Sequence, residues 1–125
     1  MADVLLDSSA LFYYVSSPSK FGRKSKSLLD SGSLFFSPIS LVELKLKALS
    51  GKLKLASIDP KDFEALGFQL LSFDAAAAHE FQLWANQDPF DNMLLAQART
   101  SGCKFLTSDL KILNLNFEFV ADLTD

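Results

Sequence analysis

The sequence predicts an α/β protein, a three-layer α/β/α sandwich around a mainly parallel sheet of roughly five strands. Short apolar runs alternate with helical patterns of about ten residues, the arrangement that crossover connections between parallel strands require. Pro, Gly, Asp and Ser punctuate the boundaries between these segments. The chain has 125 residues, 49% of them apolar and 12% aromatic, enough to bury a core without staples. No repeat, low-complexity tract or linker interrupts it, so a single domain is expected over 1–125.

Val4–Leu6 reads as the first strand, ending at Asp7. A helix follows over Ser8–Val15, with Ser8 or Ser9 as its cap. Pro18 closes it, and Lys20–Leu29 forms a second helix that stops at Ser31-Gly32. Leu34–Ser37 is the next strand. The helix Ser40–Leu49 carries Leu41, Leu44 and Ala48 on one stripe, with Val42, Leu46 and Leu49 beside it. Asp59-Pro60 opens a short helix, Gln69–Phe73 is a third strand, and Asp74 caps an alanine-rich helix over Ala75–Ala85. Pro89 sits in the first turn of a helix that starts after Asp88 and runs to Ser101-Gly102. Lys104–Thr107 and Phe117–Val120 complete the strands.

Composition excludes several chemistries. Cys103 is the single cysteine and His79 the single histidine, so neither an internal disulfide nor a Cys/His zinc site can form. Any metal would be held by oxygen. No apolar run approaches the roughly 20 residues that cross a bilayer. The first basic residue is Lys20, and Asp3 and Asp7 break the only early apolar stretch, so a cytoplasmic location without membrane contact is expected. Net charge is −3 but polarised: residues 1–62 hold nine Lys/Arg against six Asp/Glu, and residues 63–125 hold three against nine. An acidic centre beside a basic flank fits this pattern, as does ordinary solvated surface.

Ligands of open parallel sheets bind outside the carboxyl ends of the strands. Asp7 ends the first strand, and Asp109 follows the fourth by two residues. Glu43 and Asp91 lie in the first turns of helices beside that rim. Each has a structural alternative. Ser40-x-x-Glu43 matches a capping box, and Glu43 can pair with Lys47. Asp88 and Asp91 suit a helix N-terminus, and Asp109 can cap a short helix through Leu113. Asp7 is harder to assign to structure, because it stands where a strand leaves the core. Were the four to converge, two charges about 4 Å apart would cost roughly 4 kcal/mol at an effective dielectric near 20. Either some of them take up protons or a cation neutralises them, and oxygen-only ligation suits Mg²⁺ or Mn²⁺. Such an ion could also activate water for in-line attack on a phosphodiester.

These residues resemble a known family. Leu5-Leu6-Asp7-Ser8-Ser9-Ala10-Leu11 resembles the opening motif of PIN domains, and Ser37-Pro38-Ile39-Ser40-Leu41-Val42-Glu43 the second. Asp88-Pro89-Phe90-Asp91-Asn92-Met93-Leu94-Leu95-Ala96-Gln97-Ala98 resembles the third and points to the VapC-like branch, while Leu106-Thr107-Ser108-Asp109 resembles the fourth. The resemblance implies a PIN-like sandwich and a Mg²⁺-dependent endoribonuclease, the toxin of a type II toxin–antitoxin pair. It implies an RNA substrate, a cognate antitoxin and a homodimer. By resemblance Asp7, Glu43, Asp91 and Asp109 form the catalytic metal site, with Ser8, Asp88 and Thr107 supporting it. Two departures stand out. Asn92 occupies a position where that branch often has Arg, near the expected RNA path. Residues 84–87 approach Asp88 by a shorter, histidine-free route.

Other features admit two readings. Arg23, Lys24, Lys26, Lys45, Lys47, Lys52 and Lys54 could meet RNA phosphates or simply face solvent. Phe12, Tyr13 and Tyr14 divide between core and a partner groove. Cys103 reads as a small buried hydrophobe and Trp84 as core. Two other functions compete with the nuclease. One is a catalytically silent module that binds a protein partner. The other is a phosphoacceptor receiver domain, which wants paired acids after the first strand and a late lysine that this chain lacks.

Overall fold

The structure is a computed structural model and describes residues 2–85 and 87–125. In chain order its elements are β1 (Asp3–Leu6), α1 (Ser8–Ser16), a 3-10 turn (Pro18–Lys20), α2 (Arg23–Ser31), β2 (Ser33–Phe36), α3 (Pro38–Leu49) and α4 (Pro60–Ala65). Then follow β3 (Gln69–Leu70), α5 (Ala75–Glu80), α6 (Pro89–Ser101), β4 (Lys104–Thr107), α7 (Leu110–Leu113) and β5 (Val120–Asp122). The five strands lie in the order β3-β2-β1-β4-β5, and every neighbouring pair is parallel.

Strand periodicity divides the core into two layers. Successive side chains of a strand point to opposite faces. Val4, Leu6, Phe36 and Leu106 therefore enter one cluster with Leu11, Phe21, Leu44 and Phe63. Leu5 and Phe105 enter the other, with Leu94, Leu95, Ala98 and Ile112. Both faces are covered, which is why these strands read as unbroken apolar runs. The chain winds from β1 through β2 to β3, then returns to β4 and β5 on the far side of β1. That reversal makes a topological switch point at the carboxyl ends of β1 and β4, where Asp7 and Thr107 stand.

Helix starts differ from expectation where two caps compete. Asp7 caps α1, its Oδ1 accepting from the Ala10 amide at 2.7 Å, so Ser8 and Ser9 are ordinary first-turn residues. Ser37 caps α3 by accepting from the Ile39 amide at 3.1 Å, with Pro38 in the first turn, so the helix begins two residues before Ser40. The capping box on Ser40 and Glu43 is therefore not formed. α2 begins at Arg23 because the 3-10 turn takes up Pro18–Lys20.

Elsewhere the strands and helices are shorter or displaced. β3 pairs over two residues only, α5 stops at Glu80, and β5 lies three residues later than expected. Phe117 and Phe119 stack on each other at 5.3 Å and pack on the α6 side, so their apolar character serves the core of a loop rather than a strand. Gly102 ends α6 in the left-handed conformation, φ 69°, that glycine adopts without strain.

On α3, Leu44 is buried and Leu41 and Ala48 half-buried, while Val42, Leu46 and Leu49 are 50%, 51% and 77% exposed. Phe12, Tyr13 and Tyr14 are all half-buried against the first cluster, and Tyr14 meets Phe68 edge-on at 5.0 Å. Cys103 is buried, and that burial pushes its thiol pKa up. Among the described residues no helix is long and apolar enough to cross a membrane.

Candidate functional site

The rim is built by strand ends and helix starts. β1 delivers Asp7 to the carboxyl edge and β4 delivers Thr107 beside it, since Leu6 pairs with Leu106 in register. The Thr107 hydroxyl, itself fully buried, donates to Asp7 Oδ2 at 2.5 Å and accepts from the Asp109 amide at 3.1 Å. Asp7 thus has one oxygen on the α1 amide and the other on Thr107.

Burial pushes the Asp7 carboxyl up from 3.8 to about 7. The hydrogen bonds from Thr107 and Ala10 pull the other way, and the charges of Asp91 and Glu43 push it further up. That pattern puts Asp91 and Glu43 within electrostatic reach of Asp7.

Carboxylate oxygens of Glu43, Asp88 and Asp91 all lie within 4.8 Å of one another. α3 carries Glu43 and α6 carries Asp91, while Asp88 caps α6 by accepting from the Phe90 amide at 2.9 Å. Asp88 was expected as a supporting cap; the structure gives it that cap and a place in the acid cluster as well. The signal available in the sequence was its spacing, since residues three apart share one side of a helix start.

Glu43 is buried, and Lys47 approaches its Oε2 only to 3.8 Å. Among the described residues its Oε1 has no hydrogen-bond partner, nor do the buried hydroxyls of Ser8 and Ser40. A buried polar atom left in that state costs about 1–3 kcal/mol, more for a charged group. The donor set, three or four carboxylates with no nitrogen or sulfur among them, fits a hard divalent cation.

Asp7 and Asp109 both lie outside that three-acid group. Asp109 Oδ1 accepts from the Lys111 amide at 2.9 Å and caps α7. Ser8 is buried next to Asp7.

Asn92 does not face a substrate path. It is fully buried, its Oδ1 accepting from the Trp84 and Ala85 amides at 3.0 and 3.3 Å and its Nδ2 donating to the Asp88 carbonyl at 2.9 Å. The departure at this position is therefore structural: Asn92 pins the segment before α6 so that Asp88 and Asp91 are presented together. Asn92→Ala is expected to destabilise the fold by about 2–4 kcal/mol in urea denaturation, because it strands those backbone groups. A loss under about 0.5 kcal/mol would show that they find other partners. Of the segment 84–87, Asn86 lies outside the described residues.

Beside the acids lies a cavity of about 330 Å³ lined by Ser9, Phe12, Tyr13, Leu44, Lys47, Lys52 and Leu53. Lys45, Lys52, Lys54, Arg23, Lys24 and Lys26 are exposed. Trp84 is half-buried, with the Arg99 guanidinium 5.4 Å from its ring centre.

The family model of the PIN domain matches residues 4–118. Among solved structures, the fold is similar to VapBC2 from Rickettsia felis bound to a DNA fragment from their promoter, with TM-score 0.71, 15% identity, and 96% of this chain and 98% of that one covered. It is similar to DNA-bound VapBC from Salmonella typhimurium, with TM-score 0.66, 21% identity, and 98% and 99% coverage. A toxin-antitoxin complex from Klebsiella pneumoniae aligns with TM-score 0.64, 16% identity, and 94% and 95% coverage. No curated protein matches the sequence.

Proposed function

This chain belongs to the PIN domain family, and from that premise we propose that its acidic rim binds one or two Mg²⁺ ions, with Mn²⁺ an alternative, and cleaves RNA phosphodiester bonds. The observation that carries this reading is the gathering of Glu43, Asp88 and Asp91 within 4.8 Å, with one buried oxygen of Glu43 lacking a hydrogen-bond partner among the described residues. Acids held so closely repel unless a cation shares them. Glu43, Asp91 and Asp7 would hold the ion, Asp88 would add to them from its cap position, and Asp109 would complete the set from beyond β4.

A divalent ion bound there lowers the pKa of water and neutralises charge on the attacked phosphate. The chain supplies the rest. Thr107 fixes Asp7 by its hydroxyl, and Ser8 and Ser40 offer unpartnered hydroxyls beside the acids. Lys47 and Lys52, in the cavity with Phe12 and Tyr13, suit the phosphates and bases of a single strand. Cleavage through an activated water would leave a 5′-phosphate.

We further propose that the protein acts as the toxin of a toxin–antitoxin pair, with an antitoxin and a second copy of the chain as partners. Its structural neighbours include one complex so named and two VapBC complexes, and the exposed Val42, Leu46 and Leu49 suit a protein partner. The same apolar face would serve a catalytically silent interaction module, the second reading. The two separate in one assay. Wild type is expected to cut labelled RNA only with Mg²⁺ or Mn²⁺, and Asp91→Asn to cut on the order of 10³-fold more slowly. Equal rates for both would remove Asp91 from the chemistry. An intact fold that neither binds Mn²⁺ nor cuts RNA would establish the silent module.

A further inference from the structure

We infer that Gln97 is a positioning residue for the acidic centre, an inference that rests on the metal reading above. Gln97 lies on α6, six residues beyond Asp91, and is 1% exposed. A buried amide of this size must satisfy both of its ends. Its Oε1 accepts from the Ser37 hydroxyl at 2.5 Å, and its Nε2 donates to the Leu71 carbonyl at 3.0 Å. The Ser37 oxygen in turn accepts from the Ile39 amide, the bond that starts α3.

These bonds form one directed chain with a single assignment of donors. The Ser37 hydroxyl has one proton and gives it to Gln97, so its lone pairs are free to cap α3. The Leu71 amide, for its part, donates to the Phe36 carbonyl at 2.8 Å, which closes the tie onto the end of β2. Gln97 therefore couples the first turn of α3, the carboxyl ends of β2 and β3, and the body of α6.

The coupling has a direction relevant to the site. Glu43 reaches the acid cluster from α3, and Asp88 and Asp91 reach it from α6. α3 straddles the sheet edge, with Ile39 packed on the α6 side and Leu44 buried on the other. Nothing covalent sets the spacing between the two helices. Metal ligands need placement to within about 0.5 Å, so a bond that fixes one helix start against the other acts on the ion without touching it. Asn92 performs the equivalent service within α6, and Gln97 performs it between helices.

The test is Mn²⁺ binding followed by electron paramagnetic resonance, with thermal melting of the metal-free protein alongside. Gln97→Met keeps the volume and deletes both bonds. It is expected to weaken Mn²⁺ about tenfold, in the range found when groups behind metal ligands are changed. Cys103→Ala, at the opposite edge of the sheet, is expected to lower the melting temperature without moving the Mn²⁺ affinity. Unchanged Mn²⁺ affinity in Gln97→Met, whatever its melting temperature, would reduce Gln97 to a packing role. If that variant does not fold, Ser37→Ala removes the bond to Gln97 together with the α3 cap and is expected to weaken Mn²⁺ about tenfold; wild-type affinity there would overturn the inference. A wild-type protein that binds no Mn²⁺ would fail the metal reading itself, and this inference with it.

Discussion

Asp7→Asn is expected to make the metal-free protein more stable at pH 8 while abolishing its RNA cleavage. The folded Asp7 titrates at about 7, well above an exposed aspartate. Between about pH 4 and pH 7 the native state therefore holds a proton that the unfolded state has lost. Stability must fall as pH rises through that window and stay low above it. The full shift corresponds to on the order of 4 kcal/mol. Asparagine keeps an acceptor for the Ala10 amide and a polar partner for Thr107, so the capping bond survives. Thermal melts from pH 5 to pH 8 test this. Wild type should lose roughly 10 °C or more across the range, and Asp7→Asn should be nearly flat. Added Mg²⁺ should restore wild type at pH 8 and stabilise the variant less, since asparagine lacks the charge that the ion would share. A variant less stable than wild type at pH 8, or one with the same pH slope, would refute this account of Asp7.

Glu43→Gln addresses the metal more directly. The substitution preserves shape and removes one charge from the cluster. Its ion pair with the half-buried Lys47, at 3.8 Å, contributes about a few tenths of a kcal/mol. The fold should therefore be little affected or slightly stabilised. Mg²⁺ and Mn²⁺ affinity should fall at least about a hundredfold, the upper end of the effect of merely supporting groups, and RNA cleavage should fall with it. Isothermal calorimetry at pH 7.5 measures the first and a single-turnover assay the second. Affinity within threefold of wild type would mean that the unpartnered Glu43 Oε1 is not a ligand.

What the sequence revealed follows from the range of the forces involved. The layers were legible because Val4, Leu5 and Leu6 belong to a strand buried on both faces, and because Pro89 and Gly102 bracket α6 by local backbone chemistry. Short-range competition was not legible. Asp7 outcompeted Ser8 and Ser9 as a cap because it already stood at the strand end, and Ser37 with Pro38 displaced the Ser40 capping box. β5 was misplaced because Phe117 and Phe119 look like strand residues, yet pack as a stacked pair over the α6 layer. At the rim, Glu43 and Asp91 were named from their helix positions, whereas Asp88 was read only as a supporting residue. Asn92 and Gln97 carry their importance in tertiary hydrogen bonds, to Trp84 and Asp88 in one case and to Ser37 and Leu71 in the other. No local pattern announces such a partner 60 residues away.

The position of β1 between β2 and β4 also dictates when the centre can exist. A ribosome delivers Thr107 a hundred residues after Asp7. At about 5–20 residues per second, that gap lasts roughly 5–20 seconds. Throughout it the nascent polypeptide has an aspartate with no neighbouring strand on one side, and for most of it Asp91 has not been synthesised. Until β4 docks, Asp7 stands without the Thr107 hydroxyl that holds it, so the acidic rim is incomplete.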